Sequence, residues 1–254
     1  MVPLLAVREL TRSFGGVTAV AGVTLELSGG GIHAVIGPNG AGKTTLFNLL
    51  SGIYAPDHGE ILWDGQPVTG WPPHRMAQQG LSRTFQTPQV FPGLTVLGNV
   101  MVGAHRHGRQ GLWSTLLRLP ALGREERDLR RRALDALGLC GLEALAEREA
   151  DTLPYGLLKR LEVARALAGA PRLLLMDEPA AGLNDTETAA MADLIRAIGA
   201  AGITVLLVEH NMDLVMGISR QVLVLDFGSL LAQGTPEQVQ SDPEVIRAYL
   251  GGGV

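Results

Sequence analysis

The stretch with the clearest chemistry is GPNGAGKTT, residues 37–45, between a short β-branched run and a helical pattern. It matches the phosphate-binding spacing G-x-x-x-x-G-K-[ST]. Glycines in such a loop let backbone N–H groups face phosphate oxygens, and the following helix adds partial positive charge. We expect Lys43 to reach the β- and γ-phosphates and Thr44 to ligate Mg²⁺. The residues predicted to surround the phosphates are Gly37, Pro38, Asn39, Gly40, Ala41, Gly42, Lys43, Thr44 and Thr45.

Two acids follow the apolar run LLLMDEP. Asp177 would end a strand, where a carboxylate can join a Mg²⁺ shell, and Glu178 could polarise an attacking water. Alone, such a pair is more often a helix cap or a solvated turn. Together with the phosphate loop, it favours hydrolysis of a nucleoside triphosphate.

Composition narrows the class of ligand. The only lysines are Lys43 and Lys159, so the guanine-reading motif N-K-x-D cannot exist and adenine is favoured. The net charge of −4 argues against a nucleic-acid partner. Cys140 is the only cysteine, which excludes an internal disulfide. The sequence contains neither a signal-peptide pattern nor an apolar run of membrane-spanning length, so we expect a soluble, cytosolic protein.

Alternating strand and helix patterns predict an α/β fold with a parallel core sheet. Residues 88–165 are rich in Leu, Ala and Arg and predict an inserted helical subdomain, in which REERDLRRR would be a solvated helix face with i,i+4 pairs. Residues 235–251 predict two short helices that close the fold. Their predicted capping boxes join Thr235 to Gln238 and Ser241 to Glu244.

The motifs, in this order, resemble the ATP-binding subunits of ABC transporters over essentially the whole chain. Phe14 in RSFGGVTAV resembles the family's adenine-stacking aromatic, Gln86 in TFQTPQVF its Q-loop glutamine, and AAGLND its D-loop. His210 in LLVEHNMD resembles the switch histidine that senses the γ-phosphate. The resemblance implies a P-loop NTPase of the ABC type, with an added antiparallel β subdomain.

The same resemblance implies the cofactors ATP and Mg²⁺. Glu178 would be the catalytic base, assisted by His210 and Gln86. The metal shell would comprise Thr44, Gln86 and Asp177.

Within that family, GAHRH, DEPAAGLN and GTPEQVQSDPEVIRAYLG resemble the ATPase subunits of branched-chain amino-acid importers. This implies transmembrane permease subunits, a second ABC ATPase as homodimer or heterodimer partner, indirectly a solute-binding protein, and a peripheral position on the cytoplasmic face of the plasma membrane. His105 and His107 in GAHRH predict a surface loop and not a zinc site. Two alternatives remain: a non-transport ABC protein that acts as a binding or remodelling module, and a P-loop kinase.

The segment LPYGL stands where the family usually has L-S-G-G-Q, the signature that faces ATP on the other subunit of a dimer. It comprises Leu153, Pro154, Tyr155, Gly156 and Leu157. Pro154 removes a hydroxyl and an N–H donor, and Leu157 removes an amide. Gly156, backbone N–H groups and the positive end of a helix would remain. We expect a contact that is weakened but not abolished.

Overall fold

The structure is a computed structural model that describes residues 2–104 and 120–250. The chain divides into two compact units. The first comprises Met1–Arg83 and Arg172–Val254, and the second comprises Thr84–Pro171. The predicted helical insert, residues 88–165, falls within the second unit. His105 and His107 lie outside the described residues.

The strands found in the described residues belong to the first unit. In chain order they are β1 (Leu5–Phe14), β2 (Val17–Leu27), β3 (Ile32–Ile36), β4 (His58–Trp63), β5 (Gln66–Pro67), β6 (Leu81–Arg83), β7 (Leu173–Asp177), β8 (Thr204–Val208), β9 (Gln221–Asp226) and β10 (Ser229–Gly234).

The α-helices are divided between the two units, with α3, α4 and α5 in the second. In chain order they are α1 (Lys43–Leu50), α2 (Pro73–Gln79), α3 (Val96–Ala104), α4 (Pro120–Leu139), α5 (Tyr155–Ala168), α6 (Asp185–Ala200), α7 (Met212–Ile218), α8 (Pro236–Gln240) and α9 (Pro243–Leu250). Two short 3₁₀ turns, Glu143–Leu145 and Ala150–Thr152, also belong to the second unit.

Two sheets form the first unit. The larger has six strands in the order β10-β9-β3-β8-β7-β6, and its neighbours are parallel except for the antiparallel pair β9 and β10. The predicted parallel core is therefore confirmed, with one antiparallel strand added at an edge. The smaller sheet is antiparallel, in the order β2-β1-β4-β5, as the family resemblance implied.

Strands β3, β7 and β8 position the residues predicted to bind and hydrolyse the nucleotide. Every residue in them is buried, because both faces of the sheet are covered, and ten of the fifteen are Leu, Val or Ile. Their register pairs Asp177 with Val208 and Val35 with Val208, so the carboxyl ends of the three strands lie at one edge. The segments that leave this edge carry the phosphate loop after β3, Glu178 after β7 and His210 after β8.

One apolar core holds the first unit together. Phe47 and Leu46 of α1 are fully buried and belong to the same cluster as Leu10 of β1 and Leu223 of β9. Burying a side chain of this size contributes about 1.5–3 kcal/mol. The helix that carries Lys43 at its first residue is therefore anchored in the core.

The second unit is built from helices, with α3, α4 and α5 in mutual contact. The fully buried Asn99 of α3 accepts a hydrogen bond from the Phe91 N–H, and its amide donates to the Phe91 carbonyl. The charged residues of α4 between positions 126 and 132 are exposed, as predicted. Among the described residues of that run, Asp128 and Arg131 form an ion pair at i,i+3. The predicted i,i+4 pairs stay a prediction.

The end of the chain follows one predicted capping box and departs from the other. Thr235 accepts from the Gln238 N–H, and the Gln238 side chain accepts from the Thr235 N–H. The second box was wrong, because Pro243 is the first residue of α9 and the preceding Asp242 accepts from the Glu244 N–H at 2.8 Å. The Ser241 hydroxyl instead donates to the Glu237 carbonyl of α8.

None of the helices within residues 2–104 and 120–250 has the length and apolar character needed to span a membrane.

Candidate functional site

The phosphate loop, residues 37–45, passes very close to other backbone at two of its glycines. A side chain at either glycine would force the neighbouring backbone to move. A Cβ on Gly37 would lie 2.1 Å from the Leu225 carbonyl oxygen, and one on Gly42 would lie 2.2 Å from the Ala19 carbonyl oxygen. Both also have positive φ angles, 151° and 98°, which glycine adopts at little cost. The motif's glycines therefore serve close backbone approach as well as loop conformation.

Lys43 is the first residue of α1 and is buried. Its ammonium group donates to the carbonyl oxygens of Gly37 at 2.7 Å and Pro38 at 2.9 Å. Burial lowers the pKa of Lys43 below its ordinary value, and the negative charges of Glu178 and Asp177 oppose that shift. The Lys43 ammonium, held at the loop by two carbonyls, supplies a positive charge for an anionic ligand.

A cavity of about 220 Å³ lies over the phosphate loop. It brings together the loop and the two residues predicted to act in hydrolysis. Its lining comprises Ala19, Asn39, Gly40, Ala41, Gly42, Lys43, Thr44, Thr45, Glu178 and His210.

Glu178 and His210 meet in this cavity, with His210 Nε2 lying 3.1 Å from Glu178 Oε1. The Glu178 side chain is 19% exposed and that of His210 is 49% exposed, so both reach solvent. Glu178 has a φ of 49°, which is uncommon for a residue with a side chain and is typical of functional sites. Its N–H donates to the Val208 carbonyl at 2.9 Å.

Asp177 ends β7 and forms a buried ion pair that the sequence did not predict. Its Oδ2 lies 2.9 Å from Nη2 of Arg83, and both side chains are less than a tenth exposed. The Arg83 guanidinium also donates to Asn48 and Ser51. The pair of Asp177 and Arg83 cannot be found from spacing, because it requires that β6 be the neighbour of β7.

The oxygen donors near the loop fit the preferences of Mg²⁺. This ion favours hydroxyl and carboxylate oxygens and usually retains several waters and substrate phosphates. Thr44 supplies a hydroxyl in the cavity lining and Asp177 a carboxylate at the end of β7. No group of three or more His, Cys, Asp or Glu residues able to hold a metal occurs in the described part of the chain. A magnesium ion here would therefore take its remaining ligands from nucleotide phosphates and water.

Phe14 ends β1 and is not among the residues that line the cavity. Its ring is 39% exposed and makes an edge contact with Tyr54, with a centroid distance of 5.3 Å. The Arg12 guanidinium lies 4.9 Å from the centre of the Phe14 ring. Its exposed ring is available to stack on a base, although stacking stays a prediction.

Gln86 belongs to the second unit, where its side chain is exposed. Its backbone carbonyl accepts a hydrogen bond from the buried Lys159 ammonium at 2.6 Å. The other lysine of the chain therefore has a structural role in this unit. The proposed contact of Gln86 with Mg²⁺ stays a prediction.

The signature segment, residues 153–157, opens α5. Pro154 is exposed and precedes the first helical residue, Tyr155, while Leu153 and Gly156 are buried. The N–H groups of Leu157 and Leu158 both donate to the Pro154 carbonyl at 3.0 Å. The Leu157 N–H is therefore engaged within the helix, while contact of the segment's other backbone N–H groups with a partner's ATP stays a prediction.

Comparison with known proteins identifies the family. Residues 20–181 match the family model described as ABC transporter, and residues 229–254 match one described as branched-chain amino acid ATP-binding cassette transporter. The chain is 45% identical over 250 residues to the high-affinity branched-chain amino acid transport ATP-binding protein BraF of Pseudomonas aeruginosa, and 46% identical over 250 residues to LivG of Escherichia coli K12. Each alignment covers 98% of both proteins.

Solved structures agree with this. MJ1267, an ATP-binding cassette of an ABC transporter in its ADP conformation, superposes with a TM-score of 0.85 at 31% identity, covering 99% of this chain and 100% of that one. A nucleotide-free ATP-binding cassette from an ABC transporter gives 0.84, also at 31% identity, over 97% and 98% of the two chains. The protein therefore belongs to the ABC transporter family of ATP-binding cassettes. It is a P-loop ATP hydrolase that binds ATP.

Proposed function

We propose that this ATPase drives branched-chain amino-acid uptake through transmembrane permease subunits, from a peripheral position on the cytoplasmic face of the plasma membrane. The observation that carries the proposal is the 45–46% identity to BraF and LivG over 98% of the chain. Because each alignment covers 98% of both proteins, the similarity extends over nearly the whole ATPase. The match of residues 229–254 to a branched-chain transporter model supports the same solute class.

In the proposed reaction, Glu178 polarises the water that attacks the γ-phosphate of ATP, and His210 contacts that phosphate. Their separation of 3.1 Å supports joint action on one group. Lys43 and the backbone N–H groups of residues 37–45 bind the phosphates. Phe14 stacks on the adenine.

Mg²⁺, when bound, neutralises developing charge on the phosphates. Thr44, Asp177 and Gln86 would hold it. Arg83 fixes the Asp177 carboxylate through a buried ion pair and so sets its orientation. In this proposal Asp177 binds the metal and Glu178 acts on the attacking water.

The working form proposed is a dimer with a second ABC ATPase, either another copy of this chain or a different subunit. Each ATP would lie between the phosphate loop of one subunit and the signature segment of the other. Permeases and, through them, a solute-binding protein would complete the importer. ATP binding would close the dimer and hydrolysis would reopen it.

Uptake by whole cells tests the proposed solute. In a strain that lacks this gene, we expect import of labelled leucine, isoleucine and valine to fall, while import of labelled lysine is unchanged. The intact gene should restore uptake, a Lys43→Ala variant should not, and the surface variant Glu60→Gln should restore it fully. Unchanged branched-chain uptake in the deletion strain, in a medium where the gene is expressed, would contradict the proposal.

Purification from native membranes tests the proposed partners. A tagged chain, extracted in mild detergent, should bring down transmembrane subunits, and an untagged copy or a second ATPase will distinguish homodimer from heterodimer. Recovery of ribosomal proteins or DNA in place of transmembrane subunits would favour a non-transport ABC protein.

A further inference from the structure

Glu209 is a buried acid beside the site that neither the motifs nor the proposed reaction uses. It follows β8 directly, precedes His210, and is 4% exposed. A charged side chain is rarely buried unless its oxygens are satisfied, so its contacts identify its role.

Both carboxylate oxygens of Glu209 accept backbone hydrogen bonds. Oε1 accepts from the Ala180 N–H at 2.7 Å. Oε2 accepts from the His210 N–H at 2.8 Å and from the Asn211 N–H at 3.3 Å. One side chain therefore joins the segment that follows β7 to the segment that follows β8.

These bonds hold the segment that contains Glu178, whose backbone conformation is unusual. Glu178, with its φ of 49°, donates its N–H to the Val208 carbonyl at 2.9 Å, and two residues later Ala180 donates to Glu209. The turn that carries Glu178 is thus held at two points by the end of β8. A strained conformation persists only where its surroundings hold it in this way.

We infer that Glu209 is a positioning residue for ATP hydrolysis, which holds the Glu178 and His210 backbones so that their side chains meet. The inference rests on the roles proposed for Glu178 and His210. Glu209 lies outside the residues that line the cavity, and it would act through those two residues without touching the nucleotide.

The number of acceptors explains why a carboxylate is needed at Glu209. An ionised carboxylate has only acceptor oxygens, whereas an amide has one acceptor oxygen and an NH₂ donor. In Glu209→Gln the NH₂ group would face either the Ala180 N–H or the N–H groups of His210 and Asn211. One of the two segments would lose its contact, at nearly unchanged side-chain volume.

Steady-state kinetics on the full chain test the inference. We expect Glu209→Gln to lower kcat for Mg-ATP by at least about tenfold, which corresponds to about 1.4 kcal/mol in the barrier. The Kd for a non-hydrolysable ATP analogue with Mg²⁺ should change by less than about twofold, because the phosphate loop is untouched. Glu209→Asp, which keeps both oxygens on a shorter chain, should have an intermediate kcat. Glu60→Gln removes the same negative charge at an exposed position and should leave both constants unaltered.

The outcomes separate this inference from the proposed reaction. A purely structural role would lower the melting temperature of Glu209→Gln yet leave kcat intact at temperatures well below it, and that result would overturn the inference. If Glu209→Gln did not fold, a wild-type kcat in Glu209→Asp would overturn it equally. Glu178→Gln is measured in parallel: wild-type turnover there would refute the role of Glu178 itself, whatever Glu209→Gln does.

Discussion

The imidazole Nε2 of His210 lies 3.1 Å from Oε1 of Glu178, although 32 residues separate the two in the chain. Strands β7 and β8 are parallel neighbours whose last residues, Asp177 and Val208, are in register. Residues that follow two such strands emerge at the same edge of the sheet, where open α/β sheets bind their ligands. The sheet's strand order therefore creates the pair, and the phosphate loop after β3 completes the site.

Nucleotide affinity should depend on Phe14. Replacing its exposed ring by alanine should weaken ATP binding by about 1–3 kcal/mol, the range measured for base–aromatic stacking in other proteins. Calorimetric titration of Phe14→Ala and wild type decides this. Val17→Ala is the matched control, because Val17 pairs with Phe14 across β1 and β2 and is 69% exposed. An unchanged Kd with a large fall in melting temperature would assign Phe14 to packing instead.

Stability should depend far more on the buried pair Arg83–Asp177 than on an exposed pair. Arg83→Gln leaves the Asp177 carboxylate without its buried partner, which should cost about 3–5 kcal/mol. The matched control is Arg172→Gln, whose bidentate pair with Asp64 is about half exposed and should contribute about 0–1 kcal/mol. Urea unfolding compares the two, and equal losses would contradict the account of this ion pair.

Cys140 should resist thiol reagents in the native state. Burial raises the pKa of its thiol to about 12, so almost none of it is the reactive thiolate at pH 8. A cysteine placed at the exposed Val102, in a Cys140→Ala background, should react rapidly under the same conditions. The raised pKa also predicts that the free energy of unfolding falls as the pH rises above 9.0, the ordinary value for this thiol. Rapid native-state labelling of Cys140 would contradict its burial.

The altered signature should weaken one class of ATP site. A hydrogen bond to a charged group contributes about 1.5–3 kcal/mol, so restoring serine at Pro154 and glutamine at Leu157 should raise turnover roughly ten- to a hundredfold at the site this segment serves. In a heterodimer, this segment would contact only the ATP held by the partner's phosphate loop. To test this, the catalytic glutamate of each subunit is replaced in turn, and the residual ATPase activity is measured with and without the restored signature. Equal residual rates that the restoration leaves unmoved would mean that backbone N–H groups carry the contact.

The fold and the phosphate loop could be predicted because their signals are local. Apolar runs such as those of β3, β7 and β8 follow the chemistry of strands buried on both faces, and the glycines of residues 37–45 match a fixed spacing. The wrong capping box has a local cause too. Pro243 fixes where α9 begins, so Asp242 and not Ser241 supplies the cap.

Glu209 and Arg83 could not be predicted, because their partners depend on tertiary structure. Glu209 was visible in LLVEHNMD as an acid at the end of an apolar strand, but its bond to Ala180 requires that β7 and β8 be neighbours. Arg83 likewise contacts Asp177 only because β6 pairs with β7. An acid or base at the end of a buried strand is the signal to follow in other sequences.

The most direct test of the proposed reaction is ATP turnover by Glu178→Gln, measured on the full chain alongside wild type. The carboxylate that polarises water is lost while Lys43 and residues 37–45 are retained. We therefore expect hydrolysis to fall by at least about a hundredfold, with ATP still bound and dimers accumulating by mass action. Turnover at the wild-type rate in this variant would contradict the account.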